Sequence, residues 1–113
     1  MLTDVEKERI IRVLDAYCES RVPLHVRDKL ALQLRIKGQD VILFEKRPHF
    51  RRQGEWTESN VAKVKFNRRE GTWTLLWRDR NSKWHYYEPC PPSQRFEDLL
   101  EVVDRDPTGI FWG

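Results

Sequence analysis

The sequence lacks long apolar runs, glycine-rich loops and more than two cysteines, and each shortage excludes a class of protein. No apolar stretch approaches the roughly 20 residues that cross a bilayer, so we expect no membrane association. The five glycines are scattered, which excludes a phosphate-binding loop. Cys18 and Cys90 have no second cysteine at metal-ligand spacing, so we expect free thiols and no metal site. A disulfide between them is the alternative.

The first ten residues, MLTDVEKERI, also lack the basic and then apolar regions of a signal peptide. We therefore expect a cytoplasmic protein. No serine or cysteine lies in a nucleophile motif, and no cofactor motif is present. These shortages favour a non-enzymatic protein without a cofactor.

What the sequence does contain is charge, and its distribution is uneven. Residues 46–83 carry eleven basic and four acidic side chains, whereas residues 84–113 carry two basic and six acidic ones. A basic segment of this kind indicates an anionic partner for the middle of the chain.

The stretch from Val61 to Pro89 shows the clearest period-two pattern. Three runs alternate apolar with polar residues, and the polar segments 67–71 and 78–82 that separate them have hairpin-loop length. This pattern predicts a three-stranded antiparallel meander with a tryptophan-rich inner face. The apolar sets are Ala62, Val64 and Phe66, then Trp73, Leu75 and Trp77, then Trp84 and Tyr86.

The flanking segments predict two helices and two more strands. Apolar residues at helical spacing predict helices over about 4–20, after a Thr3–Glu6 capping box, and over about 94–104, with Ser93 as N-cap. Alternation predicts strands over 30–37 and 41–46. Segment 49–59 has no period and is expected to be a mobile connection. The prolines at 89, 91 and 92 are expected to prevent a further paired strand.

The predicted fold is α+β, with residues 1–113 as a single domain. Its order is α-β-β-β-β-β-α, a five-stranded antiparallel sheet with the N- and C-terminal helices packed on one face. That inner face is expected to carry Leu32, Leu34, Val64, Trp73, Trp77 and Trp84.

The opposite, outer face of the sheet is the main candidate site. Lysines and arginines neutralise phosphates, and a tyrosine or histidine ring stacks on an unpaired base. The alternative is an ordinary solvated sheet face. The candidate nucleic-acid-binding residues are Arg35, Lys63, Lys65, Arg78, Lys83, His85 and Tyr87.

Three smaller features have competing interpretations. Arg47, His49, Arg51 and Arg52 form a secondary basic loop that either binds a phosphate group or is merely exposed. The second feature is a set of four residues with two alternative roles. They either form an acid–base or metal site, or cap a helix end and start an Asp-Pro turn. This set comprises His85, Glu88, Asp104 and Asp106.

The aromatic C-terminus is the third feature. Phe111 or Trp112 is expected to pack against the sheet or the first helix, with the carboxylate of Gly113 near a basic side chain. The alternative is a docking peptide for a partner.

Several stretches resemble the bacterial domain-of-unknown-function family 3024, over nearly the whole chain. The resemblance implies a small stand-alone bacterial domain and no activity. It is carried by Glu45-Lys46-Arg47-Pro48, Val61-Ala62-Lys63, Gly71-Thr72-Trp73-Thr74-Leu75, Trp77-Arg78-Asp79-Arg80, Lys83-Trp84-His85-Tyr86-Tyr87 and the terminal segment Asp104 to Gly113.

The leading functional hypothesis is therefore a non-enzymatic binding module for a polyanion, with nucleic acid as the first choice. A protein–protein interaction module is the alternative, and a small metal-dependent hydrolase comes third.

Overall fold

The computed structural model describes residues 2–22, 30–49 and 51–112. The strands form one antiparallel sheet in the order β1-β2-β3-β4-β5. The predicted α+β class and element order are confirmed. The elements are α1 (Asp4–Arg21), β1 (Ala31–Lys37), β2 (Asp40–Pro48), β3 (Trp56–Asn67), β4 (Thr72–Arg78), β5 (Trp84–Tyr86) and α2 (Phe96–Arg105).

Helix α1 begins with the predicted capping box. The Thr3 N–H donates to Glu6 Oε1 at 2.8 Å, and the Glu6 N–H donates to Thr3 Oγ1 at 3.2 Å. Arg68, in the turn between β3 and β4, donates to the same Glu6 oxygen at 2.7 Å. The start of the helix is thereby joined to a turn 62 residues away.

Helix α2 starts without the side-chain cap that was predicted at Ser93. Its N-cap is Arg95, which makes no side-chain cap bond. Ser93 lies two residues earlier, where its hydroxyl accepts the Arg95 N–H at 3.1 Å and donates to Asp98 Oδ2 at 2.8 Å. The serine therefore orders the approach to the helix instead of capping it.

Both helices pack on the inner face of the sheet, as predicted. Leu14 of α1 and Leu99 of α2 belong to one buried cluster with Val64 and Leu75 of the central strands. Leu75 and Leu99 are completely buried. Burial of each such side chain stabilises the fold by about 1.5–3 kcal/mol.

Strands β2 and β3 extend beyond the end of β1 as a two-stranded arm, residues 47–49 and 51–57. A β-bulge interrupts the β2–β3 register between Leu43 and Phe44, β1 stays paired with β2 as far as Lys46, and the β2–β3 pairing continues to Pro48 opposite Trp56. The expected mobile connection over 49–59 is thus wrong, because residues 56–59 are strand. No apolar alternation marked this segment, since the side chains of 56–59 are exposed on both sides.

The edge of β4 is covered past the end of β5. The Tyr87 N–H donates to the Leu75 carbonyl at 2.9 Å. Farther along, Ser93 and Trp73 exchange two backbone hydrogen bonds of 2.7 and 3.0 Å. The intervening prolines have no N–H to donate to a ladder, so the described residues form this single bridge and no sixth strand.

The C-terminal segment folds back onto the body. Asp106 ends α2 in the left-handed conformation, and its carboxylate accepts the N–H groups of Phe111 at 3.0 Å and Trp112 at 2.9 Å. Phe111 is buried with its ring centroid 5.0 Å from that of Tyr87. The predicted packing of this end is confirmed, while the expected contact of Gly113 lies outside the described residues.

Candidate functional site

The faces of β5 are reversed relative to the prediction. His85 pairs with Trp77 across the ladder, and their rings stack with centroids 4.8 Å apart. Tyr87 is buried among the inner-face residues, with its hydroxyl 2.9 Å from Thr108 Oγ1. Placing His85 and Tyr87 on the outer face, and Trp84 on the inner face, was therefore wrong.

The turn after β4 sets this register. Asp79 Oδ1 accepts the backbone N–H groups of Asn81 at 2.8 Å and Lys83 at 3.0 Å. Its other oxygen, Oδ2, lies 2.6 Å from His85 Nε2. The hydrogen bond with His85 is the main reason that the pKa of Asp79 falls to about 2, and the bond from Lys83 adds to it. An ionised Asp79 thus holds His85 on the side of Trp77.

The outer face gains two aromatic rings from the same register. Tyr86 lies opposite Leu76, which in turn lies opposite Lys63 of β3. Trp84 lies opposite Arg78, and the Lys63 Nζ is 5.0 Å from the centroid of the Trp84 ring. With 62% of its surface exposed, Tyr86 is the more accessible ring. Basic and aromatic side chains are therefore neighbours on this face.

The predicted cations of the outer face differ in their pairing. Arg35 forms an ion pair with Glu58 at 2.9 Å, and the Lys63 Nζ lies 3.8 Å from Asp40. In the described part of the chain, the side chains of three others have no acidic partner within ion-pair distance. They are Lys65, Arg78 and Lys83.

Beneath these charges, the outer face has a small apolar layer of its own. Phe44 and Leu76 are buried although their side chains are on the face of the sheet that points away from the helices. The Arg35 guanidinium covers the Phe44 ring at 4.5 Å from its centroid. Such packing of long basic side chains over apolar surface keeps their charged ends at the solvent boundary.

The secondary basic loop is largely neutralised by acidic neighbours. Arg47 pairs with Glu45 at 3.4 Å, and Arg52 pairs with Glu55 at 3.5 Å. His49 Nδ1 accepts the backbone N–H groups of Arg51 and Arg52, both at 3.1 Å. These contacts order the tip of the arm and reduce its attraction for a phosphate group.

The residues considered for acid–base chemistry enter separate contacts. His85 pairs with Asp79. Asp104 Oδ1 accepts from the Tyr17 hydroxyl and from Arg21, both at 3.2 Å. Asp106 holds the C-terminal backbone, as predicted for a turn, and Glu88 is exposed. Within the ranges that the structure describes, no three His, Cys, Asp or Glu side chains group as metal ligands.

Sequence reasoning missed Trp84 and Tyr86 as outer-face residues. The segment Trp84-His85-Tyr86-Tyr87 has a ring at every position, so alternation of apolar and polar residues could not show which of them lie on which face of the sheet. The usable signal was the acidic residue six positions before His85, which pairs with it.

Comparison with known proteins shows the family of the chain. No curated protein and no solved structure matches it. Among the described residues, no helix is long and apolar enough to cross a membrane. The family model "Domain of unknown function (DUF3024)" matches residues 2–113, and the chain therefore belongs to that family.

Proposed function

We propose that the outer face of the sheet binds single-stranded nucleic acid. The observation that carries this proposal is the exposed Tyr86 ring on a face that also holds Lys65 and Arg78. An exposed ring stacks on an unpaired base, and neighbouring cations neutralise the phosphates that flank it.

The spacing of the two rings supports a single strand as the ligand. Trp84 and Tyr86 are two residues apart on β5, which corresponds to about 6.5 Å along the strand. Each ring can therefore take its own base. Paired bases in a duplex are already stacked on each other and offer no free face, so the rings favour unpaired bases.

The charge pattern supports phosphate contacts in the same place. Lys65 and Arg78 flank the row that contains Leu76. Two phosphates neutralised on a single strand give a slope of log K against log salt of about −1.4. An apolar protein partner on the same face would give a much flatter response, which separates the two alternatives.

The test measures fluorescence anisotropy of a labelled oligothymidylate over a salt series. We expect Tyr86→Ala to weaken binding by about 5- to 100-fold through loss of stacking. Replacing Lys65 and Arg78 together with glutamine should remove most of the salt dependence. Trp56→Ala is the matched control, since Trp56 is an exposed aromatic ring on the arm.

Binding that is absent even at low salt would refute the proposal. So would an affinity that Trp56→Ala lowers as much as Tyr86→Ala does. A flat salt response with intact affinity would instead favour a protein partner.

A further inference from the structure

Strand β5 is the last strand of the sheet, and its far edge is open. The hydrogen bonds that flank it run to the other side, towards β4. The Tyr87 N–H donates to Leu75, and the Lys83 carbonyl accepts from Asp79, both at 2.9 Å. Alternate residues of an antiparallel strand bond to opposite sides, so Trp84 and Tyr86 direct their backbone N–H and C=O groups away from β4. In the part of the chain that the structure describes, these groups have no hydrogen-bond partner.

A groove of about 430 Å³ lies beside this open edge. It is lined by His85 and Tyr86 of β5, by the segment that continues to Pro89, and by Thr108 and Ile110 of the C-terminal segment. The side chains of His85 and Tyr86 are exposed. The C-terminal segment therefore does not fill the space next to β5, and a further strand has access to it.

We propose that a second copy of the chain pairs with this edge, β5 against β5, in an antiparallel arrangement centred on His85. The two-fold axis then places Trp84 of each copy opposite Tyr86 of the other. Both residues present their backbone groups to the edge, so each such pair exchanges two hydrogen bonds. Their rings lie on the same face of the joined sheet, where aromatic cross-strand pairs add stability.

The charges at the two ends of β5 favour pairing of the strand with itself. Lys83 precedes the strand and Glu88 follows it, and within the described ranges neither has an oppositely charged side chain at ion-pair distance. An antiparallel copy brings Lys83 of one chain beside Glu88 of the other, twice by symmetry. Where the two His85 side chains meet, Asp79 at 2.6 Å offsets the charge of each protonated imidazole.

The contact is small, because β5 has only three residues. Interfaces below about 1,200 Å² are typical of transient association, so we expect a weak and reversible dimer. Pairing would join the outer faces of two sheets into one surface. The dimer forms without nucleic acid, so failure of this inference and failure of the proposed function are distinguishable.

The first test is sedimentation of the full chain without nucleic acid, at concentrations from about 10 µM to about 1 mM. We expect a monomer–dimer equilibrium. Tyr86→Pro should abolish it, because proline removes an N–H that faces the open edge and leaves the bonds to β4 in place. Tyr86→Phe keeps the N–H and the ring and should dimerise like the parent. A monomer at every concentration, or a dimer that Tyr86→Pro leaves unchanged, would overturn the proposal.

Charge reversal tests the register through two exposed side chains. Lys83→Glu alone, and Glu88→Lys alone, should each weaken dimerisation by about 5- to 30-fold, since like charges then meet twice. An equimolar mixture of the two variants should restore it, because every such contact in the mixed dimer again joins opposite charges. Lys37→Glu, which reverses an exposed lysine of β1, is the matched control and should have no effect. A mixture that stays as weak as the single variants would contradict β5 pairing.

Amide hydrogen exchange locates the contact. The Trp84 and Tyr86 amides should exchange more slowly as the protein concentration rises, because they become hydrogen-bonded in the dimer. Protection that rises with concentration only at other strands would assign the association to another surface and overturn the proposal.

Discussion

The two cysteine thiols are poorly reactive because both are at least partly buried. Burial raises the pKa of Cys18 to about 11, and the nearby charge of Asp15 adds to the shift. The pKa of Cys90 is also raised, again chiefly by burial. Both cysteines are free, in agreement with the expectation from the sequence. Because the thiolate is the reactive form, neither side chain is a good nucleophile at neutral pH.

Glu6 is the residue whose ionisation stabilises the fold most clearly. The hydrogen bond from Arg68 is the main reason that its pKa falls from 4.5 to about 2, and the Thr3 N–H contributes next. A lowered folded-state pKa gives stability that is present above pH 4.5 and is lost as the pH falls towards 2.

Glu6→Gln should therefore lower the free energy of unfolding at pH 7 and have a shrinking effect below pH 4.5. Urea denaturation at several pH values measures both. Glu8→Gln is the control, since Glu8 is an exposed acid of the same helix. An equal loss at pH 7 and at pH values near 2 would show that the charge of Glu6 is not responsible.

At the scale of elements, α1 and the inner faces of β1, β3 and β4 were predictable from the sequence. Apolar residues recur at helical spacing in α1 and at every second position on those inner faces, so period and phase are both defined. The arm and β5 were not, because one has exposed side chains on both sides and the other has rings at every position. The phase error in β5 moved Tyr86 off the candidate face, while Lys63, Lys65 and Arg78 were placed correctly.

The C-terminal segment depends on one carboxylate. Asp106→Ala removes the acceptor of two backbone N–H groups. It also puts alanine in the left-handed region, which aspartate tolerates because its side chain hydrogen-bonds locally and which alanine disfavours. We expect a loss of about 2 kcal/mol, or roughly 8 °C in melting temperature.

Asp106→Asn is the matched control for this change. Asparagine tolerates the left-handed region and keeps a carbonyl acceptor. The melting temperature of the Asp106→Asn variant should therefore lie closer to that of the parent protein than the melting temperature of Asp106→Ala does. Unchanged melting of Asp106→Ala would contradict the role given to the carboxylate.

The whole molecule is longer than a compact chain of its size requires. It measures 46 × 30 × 23 Å, with a radius of gyration of 14.4 Å against about 13 Å expected for this length. The arm, with its exposed side chains, contributes to this elongation.

Shortening the arm tests whether it contributes to the stability of the body. Residues 50–54 lie between His49 and Glu55, whose backbones are joined by a 2.8 Å hydrogen bond. Replacing the five with Asn-Gly, a two-residue hairpin turn, should change stability by no more than about 0.5 kcal/mol. Thermal melting measures this. A large decrease would show that the tip of the arm supports the core.

The point where β2 loses its pairing with β1, after Lys46, also determines where the chain tolerates changes in length. On the body side, Val41 and Leu43 must stay opposite Val64 and Ala62, because a one-residue slip would turn core side chains towards solvent. Past Lys46 the paired residues of β2 and β3 have exposed side chains, so no such requirement exists on the arm. Insertions or deletions between residues 47 and 57 would therefore alter the reach of the protein and leave its interior untouched, which makes this segment the natural place for evolutionary drift in chain length.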